Sequence, residues 1–227
     1  LEKIIKKTEK KAVKILEFGS GPGFFLRRAK LKNIEAYGCD FSEYSNLAKD
    51  IFDLNITVNN IFDAGYDNEQ FDVIYTHATH EHLGDMSEIS KKLYELLKPG
   101  GLFVISGVPN YRTIPVLLFS NFRNNEPPSH VNFFEKDTIK NFYKTLGLKT
   151  LQVKSYGFST WMWIIVIKLK QLFSVLKPTE VQSRQRITEP PQDPKITKTH
   201  RFVAYIYSIL HIPGMGRNIE IWGRKIR

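Results

Sequence analysis

The segment Lys14–Leu26, KILEFGSGPGFFL, constrains this chain more than any other. Val13–Phe18 is a short apolar run broken only by Lys14 and Glu17, which reads as a buried strand. Glycine then falls at alternate positions, Gly19, Gly21 and Gly23. Phe24–Lys30 has the apolar-then-basic look of a helix, and Pro22 suits its opening turn. Strand, glycine turn and helix in that order let the backbone take positive φ and let a ligand approach the main chain closely. The helix start adds N–H groups that have no partner within the helix.

The turn is more specific than a generic bend. A dinucleotide fold carries Gly-x-Gly-x-x-Gly, with its acidic residue about 20 positions later. Here the order is Glu-x-Gly-x-Gly-x-Gly, with Glu17 ending the strand before the first glycine. A phosphate-binding P-loop closes on Gly-Lys-Ser/Thr, and Gly23-Phe24-Phe25 does not. The segment resembles the first motif of class I methyltransferases, which bind S-adenosylmethionine (SAM). The resemblance implies that Gly19, Ser20, Gly21 and Gly23 surround the methionine part of SAM and that Glu17 fixes its amino group.

The rest of the chain extends the resemblance over roughly residues 13–156. Ile34–Cys39 reads as the second strand, ended by Asp40. An acid there can accept hydrogen bonds from both ribose hydroxyls. It can equally cap the next helix, for which Ser42 competes. The stretch GCDFSEYSNLAKD resembles the family's second motif, with Phe41 beside the adenine. Ile56–Val58 is a third strand, and alignment of the strand ends puts Asn60 in place of the usual adenine-binding acid. Ile61 would add its backbone N–H, and Asp63 is the alternative to Asn60. Phe71–Tyr75 is the fourth strand. A helix over Asp85–Leu97 stops at Lys98-Pro99-Gly100-Gly101. Leu102–Val108 is the fifth strand. FDVIY, EHL and LKPGGLFVISGVPN together resemble the branch holding ubiquinone-pathway and many glycan- and natural-product-modifying O-methyltransferases.

Residues 111–128 form a long, proline-containing loop, and such loops tend to be functional. Ser129–Phe134 then resembles that branch's His-x-x-x-Phe segment over the acceptor pocket. A helix near Asp137–Leu146, a sixth strand Leu148–Tyr156 and a seventh Glu220–Lys225 complete the reading. The fold class is therefore an α/β, Rossmann-like, seven-stranded and mostly parallel sheet with helices on both faces. Residues 1–156 are the SAM-binding core, 157–215 a helical insertion or lid, and 216–227 the returning last strand. The insertion opens on the dense apolar run WMWIIVI, too short to span a bilayer, which needs about 20 residues. It reads as two packed helices, with a membrane-surface foot over 161–211 as the sharper alternative.

Histidine is the natural base near neutral pH. Four histidines, His77, His80, His82 and His130, should gather at the carboxyl ends of strands four and five, where open α/β sheets bind ligands. His130 is the first choice as base or acceptor contact. His82 follows, with Glu81 as an orienting carboxylate. His77 reads as cofactor wall and His80 as wall or core. The run HATHEH fits neither zinc-protease spacing, since Gly84 and His80 stand where HExxH and HxxEH need His and Glu. Ubiquinone-pathway enzymes carry Glu-x-x-Glu-His, implied to bind a divalent ion, but Ala78 replaces the first Glu here. Metal-independent transfer is the expectation.

Composition narrows the partners. A net charge of +10 invites a nucleic-acid reading, but no zinc spacing, RNP-like strand or DNA-reading motif accompanies it. A lysine-rich solvated surface is the simpler explanation. The single cysteine, Cys39, rules out an intramolecular disulfide and fits a reducing compartment. The N-terminus has no basic start followed by an apolar core, so a cytoplasmic protein with optional membrane-peripheral contact is expected. The chain opens at Leu1 rather than methionine and is compatible with a preceding segment. The functional expectation is O-methylation of a small-molecule, glycan or lipid-linked acceptor, with SAM as donor and S-adenosylhomocysteine as product. The alternatives are a catalytically inactive SAM-binding module, an RNA methyltransferase and an NAD-type oxidoreductase, the last opposed by the glycine spacing and Glu17.

Overall fold

The computed structural model describes residues 1–10, 12–112, 129–156 and 216–226. The helical insertion and its proposed membrane foot lie outside these residues, as does most of the proline-containing loop. The elements are α1 (Glu2–Thr8), β1 (Lys14–Phe18), α2 (Phe24–Lys30), β2 (Glu35–Asp40), α3 (Glu43–Phe52) and β3 (Ile56–Val58). They continue with β4 (Phe71–His77), a 3₁₀ turn (His80–His82), α4 (Met86–Leu96), β5 (Leu97–Pro109), α5 (Lys136–Thr145), β6 (Leu148–Tyr156) and β7 (Asn218–Lys225). The seven strands form one sheet in the order β3-β2-β1-β4-β5-β7-β6. The pairings from β3 to β5 are parallel, and β7 inserts antiparallel between β5 and β6.

Period-two alternation distributes the strand side chains between two cores. Leu16, Ile74, Phe103, Ile105 and Ile221 point to one face, where Leu93 of α4 and Ile139 and Tyr143 of α5 cover them. Ile15, Val73, Leu102, Val104 and Trp222 point to the other, packed with Ile4 of α1, Leu26 and Ala29 of α2, and Ala48 of α3. The central strands thus read as near-continuous apolar runs because water reaches neither face. Tyr143 is fully buried, and its hydroxyl donates to the Phe103 carbonyl oxygen at 3.1 Å.

The observed bounds differ from the sequence reading mainly at strand ends. β4 runs on through Thr76 and His77, which pair with Ile105 and Ser106 of β5. α4 begins after Asp85, and Glu81 and His82 sit in a separate 3₁₀ turn before it. β5 carries a bulge between Ser106 and Val108. Gly107 there has φ +83, and a Cβ would meet the His77 ring at 2.8 Å. The bulge therefore makes room for His77 at the end of β4.

One buried carboxylate ties the N-terminal segment to the sheet. Asp72, 6% exposed, accepts the Lys14 backbone N–H at 3.0 Å and the ammonium groups of Lys10 and Lys98. Burial alone would raise its pKa, but the hydrogen bonds from Lys10, Lys14 and Lys98 outweigh it and lower the value. Asp72→Asn should cost about 2 kcal/mol at neutral pH, the usual scale for charged hydrogen bonds. Because the folded-state pKa is depressed, the wild type's advantage is full above about pH 3.9 and fades as pH falls through the folded value. Urea unfolding of both proteins at pH 7 and near pH 3 checks this, and a difference unchanged between the two would contradict it.

Candidate functional site

At the carboxyl edge of the sheet, between β1 and β4, the strand order reverses. β2 and β3 lie to one side and β5 to the other, which is where such sheets leave a crevice. An open cleft of about 650 Å³ lies there. Glu17 through Pro22 form one wall, and Cys39 through Ser42 a second. Tyr75, His77, Ala78, Thr79, His82 and Leu83 form the wall opposite.

The glycine turn takes the conformation its residues allow. Gly19 and Gly21 have φ of +77 and +46. A Cβ on Gly19 would meet Thr79 Oγ1 at 2.4 Å, whereas nothing lies within 4 Å of the Cβ position on Gly21. Gly19 is thus required by packing, while Gly21 presents open backbone to the cleft. Gly23, expected to touch cofactor, is instead the N-cap of α2, and its Cβ position is filled by Leu54 at 2.7 Å. It serves close helix packing rather than ligand approach, and Pro22 stands one residue before it.

Asp40 is not the cap of α3, the alternative the sequence offered for it, but ties the glycine turn to the residue that is. Its carboxylate accepts the Gly21 N–H at 2.7 Å and the Ser42 N–H at 2.8 Å. Ser42 is the N-cap of α3, its hydroxyl accepting from the Ser45 N–H. A carboxylate offers about four lone-pair sites, so two remain for ribose hydroxyls. Phe41, next in sequence, is 81% exposed and lines the same wall. Asn60 is not in the wall. Its side-chain oxygen accepts the N–H groups of Phe62 and Asp63 at 2.8 and 2.9 Å, and its amide donates to the Asp63 carboxylate. It closes its own turn, as asparagine often does, while Ile61 is buried in the core.

Two buried polar atoms in the cleft wall, Glu17 Oε2 and Ser20 Oγ, have no hydrogen-bond partner among the described residues. Glu17 is 5% exposed. Burial, assisted by the negative charge of Asp40, pushes its pKa well above the usual carboxyl range. An ammonium group would reverse that shift, so this wall fits the aminocarboxylate end of SAM. Cys39 is buried behind it, its thiol pushed up to about 12 by burial, which leaves it unreactive.

Across the cleft, Tyr75 stacks on Phe25 with ring centres 4.6 Å apart and lies parallel to His77 at 6.4 Å. Desolvation lowers the His77 pKa, so it is neutral near pH 7. Ala78 has φ +49, an uncommon conformation for a non-glycine residue, held by its N–H donating to the Ser106 carbonyl at 2.9 Å. Tyr75, Ala78 and Thr79 were missed by the sequence reading, since nothing in their types announces a wall residue. His80 is a core residue, fully buried between Thr76 and Ser90 hydroxyls at 3.0 and 3.3 Å, and burial pushes it down to about 3.

The structure brings Glu81, His82 and His130 together. The backbone N–H groups of Val131 and Asn132 donate to the Glu81 carbonyl at 2.8 and 3.1 Å. The Asn132 amide donates to the carbonyls of His80 and Leu83 at 3.0 and 2.6 Å. These bonds clamp residues 130–132 onto the 3₁₀ turn. The His82 and His130 rings meet edge to face with centres 4.8 Å apart. Glu81, read from the sequence as the carboxylate that orients His82, makes no hydrogen bond to it, its Oε1 standing 4.0 Å from Nε2. The Ser129 carbonyl orients the ring instead, 2.6 Å from Nδ1. Burial raises the Glu81 pKa, partly offset by its own backbone N–H and by the charges of His82 and His130. Of the three side chains, only His82 lines the cleft.

An open sheet in this order, with a glycine turn and a ribose-type acid at its switch point, defines the class I methyltransferase fold. The chain belongs to a methyltransferase-domain family, whose model matches residues 1–153. No curated protein matches the sequence significantly. Solved structures share the fold. A SAM-dependent methyltransferase from Archaeoglobus fulgidus is 18% identical, with 97% of this chain and 90% of that one covered and a TM-score of 0.62. The [4+2]-cyclase SpnF is 14% identical, with 99% and 79% covered and a TM-score of 0.61. Phosphoethanolamine N-methyltransferase 2 from Haemonchus contortus, solved with SAM, is 14% identical with a TM-score of 0.55, and this chain spans 52% of its length. Among the described residues, no helix is long and apolar enough to cross a membrane.

Glu17→Gln tests the electrostatics of the cleft without any ligand. A raised folded-state pKa means that Glu17 contributes stability below the unfolded value of about 4.3 and loses it as pH rises through the folded value. The glutamine variant should therefore gain stability relative to wild type as pH rises above about 4.3, the gain levelling off once the folded carboxyl ionises. Melting curves of both proteins between pH 4 and 8 read this directly. A glutamine variant that loses stability relative to wild type as pH rises would contradict the assignment.

Proposed function

We propose that this protein transfers a methyl group from SAM to an oxygen of a small-molecule, glycan or lipid-linked acceptor. The observation that carries the reading is the pairing, in one cleft, of the open Gly19–Gly21 turn and Asp40 with the unpartnered buried atoms Glu17 Oε2 and Ser20 Oγ. Gly19, Ser20 and Gly21 line the methionine portion, and Glu17 takes its ammonium group. Asp40 takes the ribose hydroxyls on its two remaining lone-pair sites, with Phe41 against the adenine. His77 and Tyr75 wall the reacting end.

Bound SAM supplies an electrophilic methyl group, which an acceptor oxygen displaces in line from sulfur. The protein's task is to align the acceptor and exclude water, largely an entropic and orientational contribution. His130 is assigned as the base that removes the acceptor proton, because its Nδ1 has no partner among the described residues. His82 is held in one tautomer by the Ser129 carbonyl and contacts the acceptor from the cleft wall.

Calorimetric titration with SAM and S-adenosylhomocysteine tests the reading. Wild type should bind both in the micromolar range, and both Asp40→Ala and Gly21→Val should weaken binding at least tenfold, about 1.4 kcal/mol. Asp40→Ala also removes the tie to Gly21, and Gly21→Val strains a backbone at φ +46, so a melting curve of each variant is read beside its binding. Binding of NAD(H) in place of SAM, or no binding by folded wild type, would contradict it. SAM binding without transfer to any acceptor would point to an inactive binding module. Steeply salt-dependent RNA binding would move the acceptor class to RNA.

A further inference from the structure

Glu81, His82 and His130 carry more than a proton relay needs. Each presents one donor atom, and the three atoms lie within 4.8 Å of one another. Two buried atoms, Glu81 Oε2 and His130 Nδ1, have no hydrogen-bond partner among the described residues. Glu81 is 2% exposed. A buried polar atom left unpaired forfeits its hydration without compensation, so native structures nearly always give it a partner. A shared ion would satisfy both at once.

His82 shows how it would serve. Its Nδ1 lies 2.6 Å from the Ser129 carbonyl, which can only accept. The hydrogen is therefore on Nδ1, and Nε2 keeps a free lone pair. Histidines that bind metals characteristically donate their other N–H in this way, which fixes the tautomer. Nε2 stands 4.0 Å from Glu81 Oε1. Ligand atoms on a tetrahedral ion with bonds of about 2.0 Å sit roughly 3.3 Å apart. His82 is 45% exposed, so a small side-chain rotation closes the gap while the buried groups stay in place.

We propose that Glu81, His82 and His130 form a binding site for a divalent transition-metal ion of the zinc type, with an open coordination position toward the cleft that His82 lines. Two imidazoles and one carboxylate suit zinc and its first-row neighbours, whereas magnesium and calcium prefer all-oxygen ligands. The site differs from the Glu-x-x-Glu-His arrangement. Ala78 stands at the first glutamate's place, and the third donor is a histidine from beyond the 113–128 segment. The clamp of Val131 and Asn132 on the 3₁₀ turn presets that third donor. The ion's use, which rests on the methyl-transfer reading, is to acidify an acceptor hydroxyl; with the ion bound, His82 and His130 serve as ligands and the ion takes over the activating role that His130 has without it. The ion's binding is independent of that reading.

The test is a calorimetric titration of untagged, chelator-stripped protein with Zn²⁺, and with Co²⁺ followed by its visible absorption bands. It uses wild type, His130→Ala and His82→Asn, with a melting curve for each. One ion per chain is expected, bound at least tenfold more weakly by both variants. His82 is exposed, so its variant keeps the test decisive should His130→Ala fail to fold. No saturable binding by wild type, or equal binding by a folded variant, would overturn the site. S-adenosylhomocysteine is titrated in parallel on wild type. Ion binding without it leaves the metal site standing and removes the cofactor reading, and the converse does the opposite.

Discussion

The Asp40 carboxylate is the joint on which the cleft depends. It ends β2, accepts the Gly21 N–H across the gap to the turn after β1, and accepts the Ser42 N–H at the entry to α3. Charge-assisted bonds of this kind are short and directional. They hold open a turn whose positive φ angles would otherwise leave it free to collapse onto the sheet edge. The turn is braced a second time where the Ser45 hydroxyl donates to the Gly21 carbonyl at 2.8 Å. A sheet covered on both faces supplies the rigid base, because its five parallel strands β1–β5 end on the same edge and that edge is where these groups point.

The acceptor side is built by a different device. β4 outlasts its apolar stretch, and the bulge at Gly107 accommodates His77. The chain then turns through Ala78 into the 3₁₀ turn, whose carbonyl groups receive residues 131 and 132. Two segments distant in sequence thereby share one hydrogen-bonded unit, and Glu81, His82 and His130 meet on it. Family membership and the cleft's chemistry point the same way on methyl transfer. The SpnF likeness is a reminder that this fold also hosts other reactions.

The sheet was legible because burial on both faces writes itself into the strands as apolar runs, and glycine, proline and acidic residues mark their ends. α2 and β6 fall where the sequence placed them. The cleft wall was legible for the same local reason: Glu17, Gly19, Gly21 and Asp40 lie at or just past strand ends, where position alone implies direction. Residues whose role depends on contacts elsewhere were not legible. Gly23 looks like its two neighbours until Leu54 is seen filling its Cβ position. Asn60 looks like a ligand contact until its side chain is seen closing its own turn. The convergence of His130 on Glu81 and His82 spans the sequence, so a spacing test on 77–82 could not find it, and the expectation of metal independence rested on that test.

The most direct measurement is a crystal structure of the protein with S-adenosylhomocysteine. The expected result places the ribose hydroxyls on Asp40, the homocysteine amino group at Glu17 and the main chain of Gly19–Gly21 against the ligand, with the sulfur facing the side of the cleft lined by His77 and His82. A ligand seated elsewhere, or one in this cleft that leaves Asp40 and Glu17 untouched, would contradict the assignment of the glycine turn as the cofactor site.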